Sequence, residues 1–129
     1  MIGIETTRYS TLMKRILSEF NDNVTIQIGI ETYSPRKFKT YSGVEIPELL
    51  NDWCTKKNLI KTTFFHLKQN GEELFGWWDH PENMWADISV LPFIEKLAAE
   101  KLIRYNIAVS KPSKFSQFLK KIFRNRTTA

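Results

Sequence analysis

The side chains that could carry acid–base or metal chemistry cluster in one short stretch of the sequence. Asp79, His80 and Glu82 stand close together, and Asp87 follows a few residues later. If folding brought His66 close to His80, two imidazoles and several carboxylates would converge. Such a group could exchange protons with a substrate or hold a metal ion weakly.

The same residue types are also what a tight turn requires, because Asp and Asn bond their own backbone and proline presets its own φ. Acid–base chemistry at Asp79, His80 and Glu82 is therefore the weaker alternative, and we expect a protein that is not an enzyme. One cysteine and two distant histidines argue against structural zinc. The sequence also contains no GxGxxG, P-loop, GxSxG or HExxH pattern, so no metal or cofactor is expected.

Cys54 is the one cysteine in the chain, which rules out an internal disulfide and fits a reducing compartment. Lys56 and Lys57 stand nearby and could favour a thiolate. No histidine lies near enough in sequence to act as its base, so we expect a buried structural thiol. The first ten residues lack the basic region and apolar run of a secretion signal, which predicts a cytoplasmic protein.

Three tryptophans flank this polar stretch. Trp77 and Trp78 are adjacent, so on a strand they point to opposite faces, and not all three can be buried in one layer. We expect Trp77 and Trp85 to be the more exposed pair. Tryptophan beside acidic residues is typical of protein–protein hot spots, although stacking on a base or sugar, or simple core packing, are alternatives. The predicted partner-binding residues are Trp77, Asp79, His80, Glu82, Trp85 and Asp87.

A β-hairpin is expected to position these residues. Asn70-Gly71 favours a type I′ turn, because both residues tolerate positive φ. The turn joins two aromatic-rich strands, residues 61–69 and 72–78, and both strands carry large apolar groups on both sides. Such a hairpin is usually central in a sheet, or packed on one side and offered to a partner on the other. Residues 84–88 predict a third strand, with an early helix start as the alternative.

Hydrophobic periodicity and turn signals predict the remaining elements of the body. They are a helix over 9–20 capped by Thr6 or Thr7 and ended by Asn21–Asn23, strands over 24–31 and 37–42, a helix from Pro47 with Lys56-Lys57 in its last turn and Asn58 as its stop, a helix over 90–102, and a strand over 104–109.

The charge is distributed unevenly. The chain carries a net charge of +5, but residues 111–129 hold six Lys and Arg and no acid, which leaves 13 basic against 14 acidic residues elsewhere. A field that attracts nucleic acid to the whole body is therefore not indicated. The basic surface consists of Lys111, Lys114, Lys120, Lys121, Arg124 and Arg126.

This basic segment also carries an apolar stripe. Phe115, Phe118, Leu119, Ile122 and Phe123 recur at helical spacing, so a helix here would have one apolar and one basic face. Docking on the body's sheet is favoured, because exposed phenylalanines promote aggregation. Binding an acidic partner or nucleic acid comes second, and an anionic membrane surface comes last.

These elements predict an α+β fold in a single compact domain, in the order α-β-β-α-β-β-β-α-β-α. The sheet is expected to be mainly antiparallel, with the helices packed on it. We expect residues 1–110 to form the body and residues 111–129 to form a basic amphipathic C-terminal helix docked on the same domain. With 129 residues, 42% of them hydrophobic, the chain can bury a substantial core.

The absence of catalytic motifs and the aromatic and acidic loop favour a non-catalytic protein-binding module. It would occlude or scaffold a partner protein, in the manner of an immunity protein, antitoxin or inhibitor. The alternative is association with nucleic acid or ribonucleoprotein through the basic C-terminal segment.

Overall fold

The computed structural model describes residues 1–108, which form an α+β domain with one seven-stranded sheet. Every strand pair in the sheet is antiparallel, so the predicted fold class is confirmed. The elements in chain order are β1 Ile2–Glu5, α1 Tyr9–Glu19, β2 Val24–Ile30, β3 Lys39–Ser42, α2 Ile46–Asp52, α3 Lys56–Ile60, β4 Thr62–Gln69, β5 Glu72–Trp78, β6 Trp85–Ala86, α4 Leu91–Ala99 and β7 Arg104–Ile107.

The sheet has the strand order β3-β2-β4-β5-β6-β1-β7, and its core lies on the side covered by the helices. All four helices contribute residues to a single buried cluster, as Leu12, Leu49, Leu59 and Ile94 illustrate. Alternate strand residues face this cluster because side chains alternate along a strand. The opposite side of the sheet, called the outer face below, is crossed by none of the four described helices.

The central hairpin forms as its turn residues predict. Asn70 and Gly71 both have positive φ, 52° and 83°, which a type I′ turn requires. Phe65 of β4 pairs with Trp77 of β5, and both lie in the core. β4 also pairs with β2, which makes the hairpin central in the sheet.

The N-terminal strand is the main departure from the predicted order, which begins with a helix. β1 lies between β6 and β7, and Ile2 and Ile4 point into the core. Its four residues, Ile2 to Glu5, alternate as a strand does, but they do not identify their partners, because the strands that pair with them lie about 80 and 100 residues further along the chain.

The predicted helix from Pro47 is two helices. α2 ends at Asp52, and the Thr55 side chain then caps α3 by accepting a hydrogen bond from the Asn58 N–H at 3.2 Å. Lys56 and Lys57 therefore open α3 rather than closing one long helix, and Asn58 lies inside it. The expected stop signal is thus wrong.

The predicted cap of α1 is also wrong. Arg8 occupies the N-cap position without a side-chain cap bond. The Thr6 hydroxyl instead accepts from the Arg8 N–H at 3.0 Å and donates to the Leu102 carbonyl at 2.9 Å, so it ties α1 to the chain after α4. The predicted third strand shrinks to Trp85–Ala86, because a 3-10 turn begins at Ile88. Predictions for 111–129 fall outside the described residues.

Candidate functional site

Trp77 lies in the core, so its predicted exposure is wrong. Its side chain is fully buried, and its indole N–H donates to the Thr62 carbonyl at 2.8 Å. The ring lies 4.8 Å from that of Phe65 and is stacked with that of Trp53. A side chain placed this way contributes to folding and cannot reach a partner directly.

Trp85 is also buried, with 5% of its surface exposed, so the second half of the prediction is wrong as well. It lies on the outer face, where it pairs with Gly76 of β5 and Gly3 of β1. Its ring lies 6.1 Å from that of His66. Trp78, on the same face, is the partly exposed member of the three.

Six rings form a continuous cluster on the outer face, named here the aromatic face: Tyr33, Phe38, Phe64, His66, Trp78 and Trp85. Phe38 stacks on Phe64 with centroids 4.3 Å apart, and Trp78 meets Phe64 edge-on at 5.0 Å. Tyr33 extends the cluster from Trp78 at 6.1 Å. His66 connects it to Trp85, since its ring lies 5.9 Å from Phe64 and 6.1 Å from Trp85. None of the six belongs to the buried core cluster.

Two glycines allow two of these rings, Phe38 and Trp85, to lie directly against the strand backbone. A Cβ at Gly29 would lie 2.4 Å from the Phe38 ring, and one at Gly76 would lie 2.9 Å from the Trp85 ring. Only glycine lets an aromatic ring lie this close to the strand backbone. The rings are therefore built into the sheet rather than attached to its rim.

His66, the histidine of the aromatic face, is shifted towards its neutral form. His66 is largely buried, and burial lowers its pKa, although the Glu73 carboxylate, 3.3 Å from the imidazole Nε2, opposes the shift. Lys68, on the same face, also lowers the pKa of His66. Glu73 and Lys68 are the charged groups that act on His66, and the other five rings of the cluster are uncharged.

Asp79 lies at one end of the aromatic face. It adopts a positive φ of 76°, and its carboxylate accepts a 2.5 Å hydrogen bond from the Tyr33 hydroxyl. That bond raises the pKa of Tyr33. The backbone N–H of Asp79 donates to the Thr63 carbonyl at 2.7 Å, which fixes the turn. Asp79 thus orients one ring of the cluster.

His80 and Glu82 lie in another environment. The His80 Nδ1 accepts a hydrogen bond from the Glu82 N–H at 3.1 Å, and its ring meets Tyr9 edge-on at 6.0 Å. Glu82 also lines an open groove of about 730 Å³ between the start of α1 and the start of β7, with Glu5 and Arg104 on its walls. Burial, helped by the Glu82 charge, raises the pKa of Tyr9.

Asp87 has a structural role in the described chain. Its carboxylate accepts from the Ser89 N–H at 3.0 Å and caps the 3-10 turn Ile88–Val90. The hydrogen bond to Ser89 lowers the pKa of Asp87.

The predicted polar cluster is therefore dispersed. The ring contacts of His66 are with Phe64 and Trp85, while His80 contacts Tyr9. Across residues 1–108, no group of three or more His, Cys, Asp or Glu side chains is placed to hold a metal ion.

Cys54 is a buried structural thiol, as predicted. It is 1% exposed, and burial raises its pKa to about 12. Its backbone carbonyl accepts a 2.6 Å hydrogen bond from the Ser10 hydroxyl, which ties the end of α2 to α1. A thiol in this state is protonated at physiological pH and chemically inert.

Sequence reasoning did not place Tyr33, Phe38 and Phe64 in one surface cluster. The signal was present, because the central hairpin carries large apolar groups on both sides, and a sheet with helices on one side can bury only one of them. Phe38 and Tyr33 come from the segment between β2 and β3, which gave no aromatic periodicity of its own.

Comparison of the chain with protein-family models, with curated protein sequences and with solved structures gives no match in any of the three. None of the helices within residues 1–108 is long and apolar enough to cross a bilayer.

Proposed function

We propose that this chain is a non-catalytic protein-binding module of the occluding or scaffolding kind, and that its partner docks on the aromatic face. The observation that carries the proposal is the continuous cluster of six rings on the side of the sheet that no described helix covers. The immunity-protein, antitoxin or inhibitor type of action is part of this proposal.

The buried core cluster does not include these rings. The described helices bury the opposite side of the sheet, where Phe65, Phe75 and Trp77 are each fully buried. Phe38, Phe64 and Trp78 are partly exposed, so a partner that covers the face would bury further aromatic surface. Extended apolar surface of this kind marks interaction sites on soluble proteins. Tyr33, at one end of the cluster, is 54% exposed.

The chemistry of the face indicates the chemistry of the partner. Five of its rings are uncharged and its histidine is shifted towards the neutral form, while Lys68 and Glu73 supply one charge of each sign nearby. It therefore fits the apolar stripe of a helix from another protein, and hydrophobic burial supplies the free energy of binding. We expect the affinity to vary weakly with salt, because few ion pairs form.

The test compares two apolar-to-serine changes. Phe38→Ser removes a ring from the aromatic face, and Ile60→Ser removes a 43% exposed side chain from α3, on the helical side. The tagged full chain is first used to capture a protein from its own cell lysate after nuclease treatment. Calorimetric titration of that purified protein should then show at least about 30-fold weaker binding to Phe38→Ser and unchanged binding to Ile60→Ser.

Equal affinity of the purified partner for both variants would contradict the proposal. Circular dichroism of both variants shows whether the fold is retained. If Phe38→Ser unfolds, Tyr33→Ser serves in its place, because Tyr33 lies outside the core cluster and is more exposed.

A second candidate function rests on the charge distribution. Six basic residues and no acidic residue within 111–129 suit phosphate binding, so this segment is the alternative site for nucleic acid or ribonucleoprotein. Binding through it should weaken steeply with salt, with a log–log slope as steep as about −5. Lys120→Gln with Lys121→Gln should reduce that slope, and salt-insensitive binding of a duplex or single-stranded probe would overturn this candidate.

A further inference from the structure

We propose that residues 114–124 of this same chain lie as an amphipathic helix across the aromatic face and occupy the surface proposed for the partner. The regulatory part of this inference rests on the proposed function, whereas the docking part stands on its own. The two surfaces match in chemistry, in length and in position along the chain.

The chemistry matches because both surfaces are apolar, and docking removes both from water. The aromatic face is a cluster of rings in which Tyr33 is exposed, while Phe38, Phe64 and Trp78 are partly exposed. The C-terminal segment has one apolar stripe at helical spacing and polar residues on the other side of the helix. Docking buries the stripe residues, which are Phe115, Phe118, Leu119, Ile122 and Phe123.

The lengths also match. From Phe115 to Phe123 a helix rises about 12 Å, at 1.5 Å per residue. Along the sheet, Trp85 stands on β6 and Phe64 on β4, two strands apart. At about 4.8 Å between neighbouring strands, that span is about 10 Å before the width of the rings is added.

The described chain ends where such a segment must start. The Ala108 N–H donates to the Met1 carbonyl at 3.0 Å, which places the end of β7 beside the start of β1. β1 in turn pairs with β6, which carries Trp85. The seven residues from Ala108 to Phe115 can extend about 23 Å, enough to cross the four strand spacings from β7 to β4, which total about 19 Å.

Charge and helix stability favour the same arrangement. The segment 111–129 carries six positive charges, while the remaining chain has a net charge of −1, from 13 basic and 14 acidic residues. The net charge of the body therefore does not oppose docking of the basic segment. A helix of eleven residues is marginally stable alone in water, so its formation is coupled to docking.

A docked C-terminal segment would compete with the partner. If it covers the face nine-tenths of the time, the apparent affinity for the partner falls about tenfold. The partner must displace it, and any change that weakens docking raises the affinity.

The test uses the indole N–H signals of the full-length, nitrogen-15-labelled chain. Trp78 and Trp85 report on the aromatic face, and Trp53 and Trp77 are internal references, because both donate to Thr62 inside the core. Phe118→Asp should shift the signals of Trp78 and Trp85 and leave the two references in place. Replacing each tryptophan in turn by Phe assigns the four signals.

Gln117→Asp is the matched control. It adds the same charge at the neighbouring position, which falls on the polar side of the predicted helix. We expect it to leave all four signals unchanged. Identical spectra for wild type, Phe118→Asp and Gln117→Asp would overturn the inference.

Two other occupants give distinct outcomes. Docking between two copies would make the wild-type positions of the Trp78 and Trp85 signals depend on protein concentration, and sedimentation would show a dimer. Docking on a membrane would leave the indole signals of the free chain insensitive to Phe118→Asp and give binding to vesicles of anionic lipid. Either result overturns intramolecular docking.

The indole measurement needs no partner, so it separates this inference from the proposed function. Shifted signals with no partner found support docking and leave the function without support. Unshifted signals with a partner bound through Phe38 support the function and overturn docking. If both hold, Phe118→Asp should bind the partner about tenfold more tightly than Gln117→Asp.

Discussion

Phe38 stacks on Phe64 across the outer face of the sheet, with ring centroids 4.3 Å apart and planes 4° from parallel. Phe64 belongs to β4, whereas Phe38 directly precedes the edge strand β3. β2 lies between them, and its Gly29 leaves the space that the Phe38 ring fills. Three segments that are distant in sequence thus build one element of the aromatic face.

Gly29→Ala should dislodge Phe38. The added Cβ would stand 2.4 Å from the Phe38 ring, so the ring must move and the stack with Phe64 opens. We expect a loss of about 1–3 kcal/mol in the free energy of unfolding, as overpacking in other proteins gives. Urea denaturation measures it. Thr25→Ala, at an exposed position of the same strand, is the control and should cost less than about 1 kcal/mol. Equal losses of stability in the two variants would contradict the conclusion that Gly29 makes room for the Phe38 ring.

Trp77→Ala should destabilise the fold severely. It removes a fully buried ring and leaves the Thr62 carbonyl without the indole donor. We expect a loss of about 3–5 kcal/mol, measured by chemical denaturation. Trp78→Ala is the matched comparison, because its neighbouring ring lies on the outer face and is partly exposed. Trp78→Ala should lower the free energy of unfolding clearly less than Trp77→Ala. Equal losses would mean that the outer face of the sheet is packed as tightly as the core.

His66 should make stability depend on pH. Burial lowers its pKa in the folded state, so the unfolded chain binds a proton first as the pH falls below about 6.5. Stability is therefore fully present above that pH and decreases as the pH falls from there towards the lowered pKa. One proton limits the slope to about 1.4 kcal/mol per pH unit.

His66→Gln should flatten this slope between about pH 6.5 and 5.5, above the range in which carboxylates such as Glu73 titrate. Denaturation midpoints of wild type and variant over that range provide the measurement. An unchanged slope would show that the burial of His66 does not make the stability of the fold depend on pH.

Cys54 should resist alkylation in the native state. With a pKa raised to about 12 and 1% of its surface exposed, it offers almost no thiolate at pH 8. In denaturant the pKa of the Cys54 thiol returns to about 8.5, and the thiol becomes reactive. We expect iodoacetamide to modify the native chain at least about 100-fold more slowly, as followed by mass spectrometry. Similar rates in both states would show that the site opens readily.

The sequence by itself determined the elements whose signals are local. Asn70-Gly71 encodes the hairpin turn through its tolerance of positive φ, and the periodic apolar residues of α1 encode a helix. The α+β class and the antiparallel sheet follow from these elements. The same residues also indicated that the central hairpin is apolar on both sides.

Only the tertiary structure decided which residues meet across the chain. β1 exists because β6 and β7 pair with it, and nothing within its four residues predicts those partners. Trp77 and Trp85 are both buried although they lie on opposite faces, since Trp77 enters the core and Trp85 covers Gly76. The aromatic face combines residues from the β2–β3 connection, β4, β5 and β6. Its position depends on strand order, and strand order is set by long-range pairing rather than by local preference.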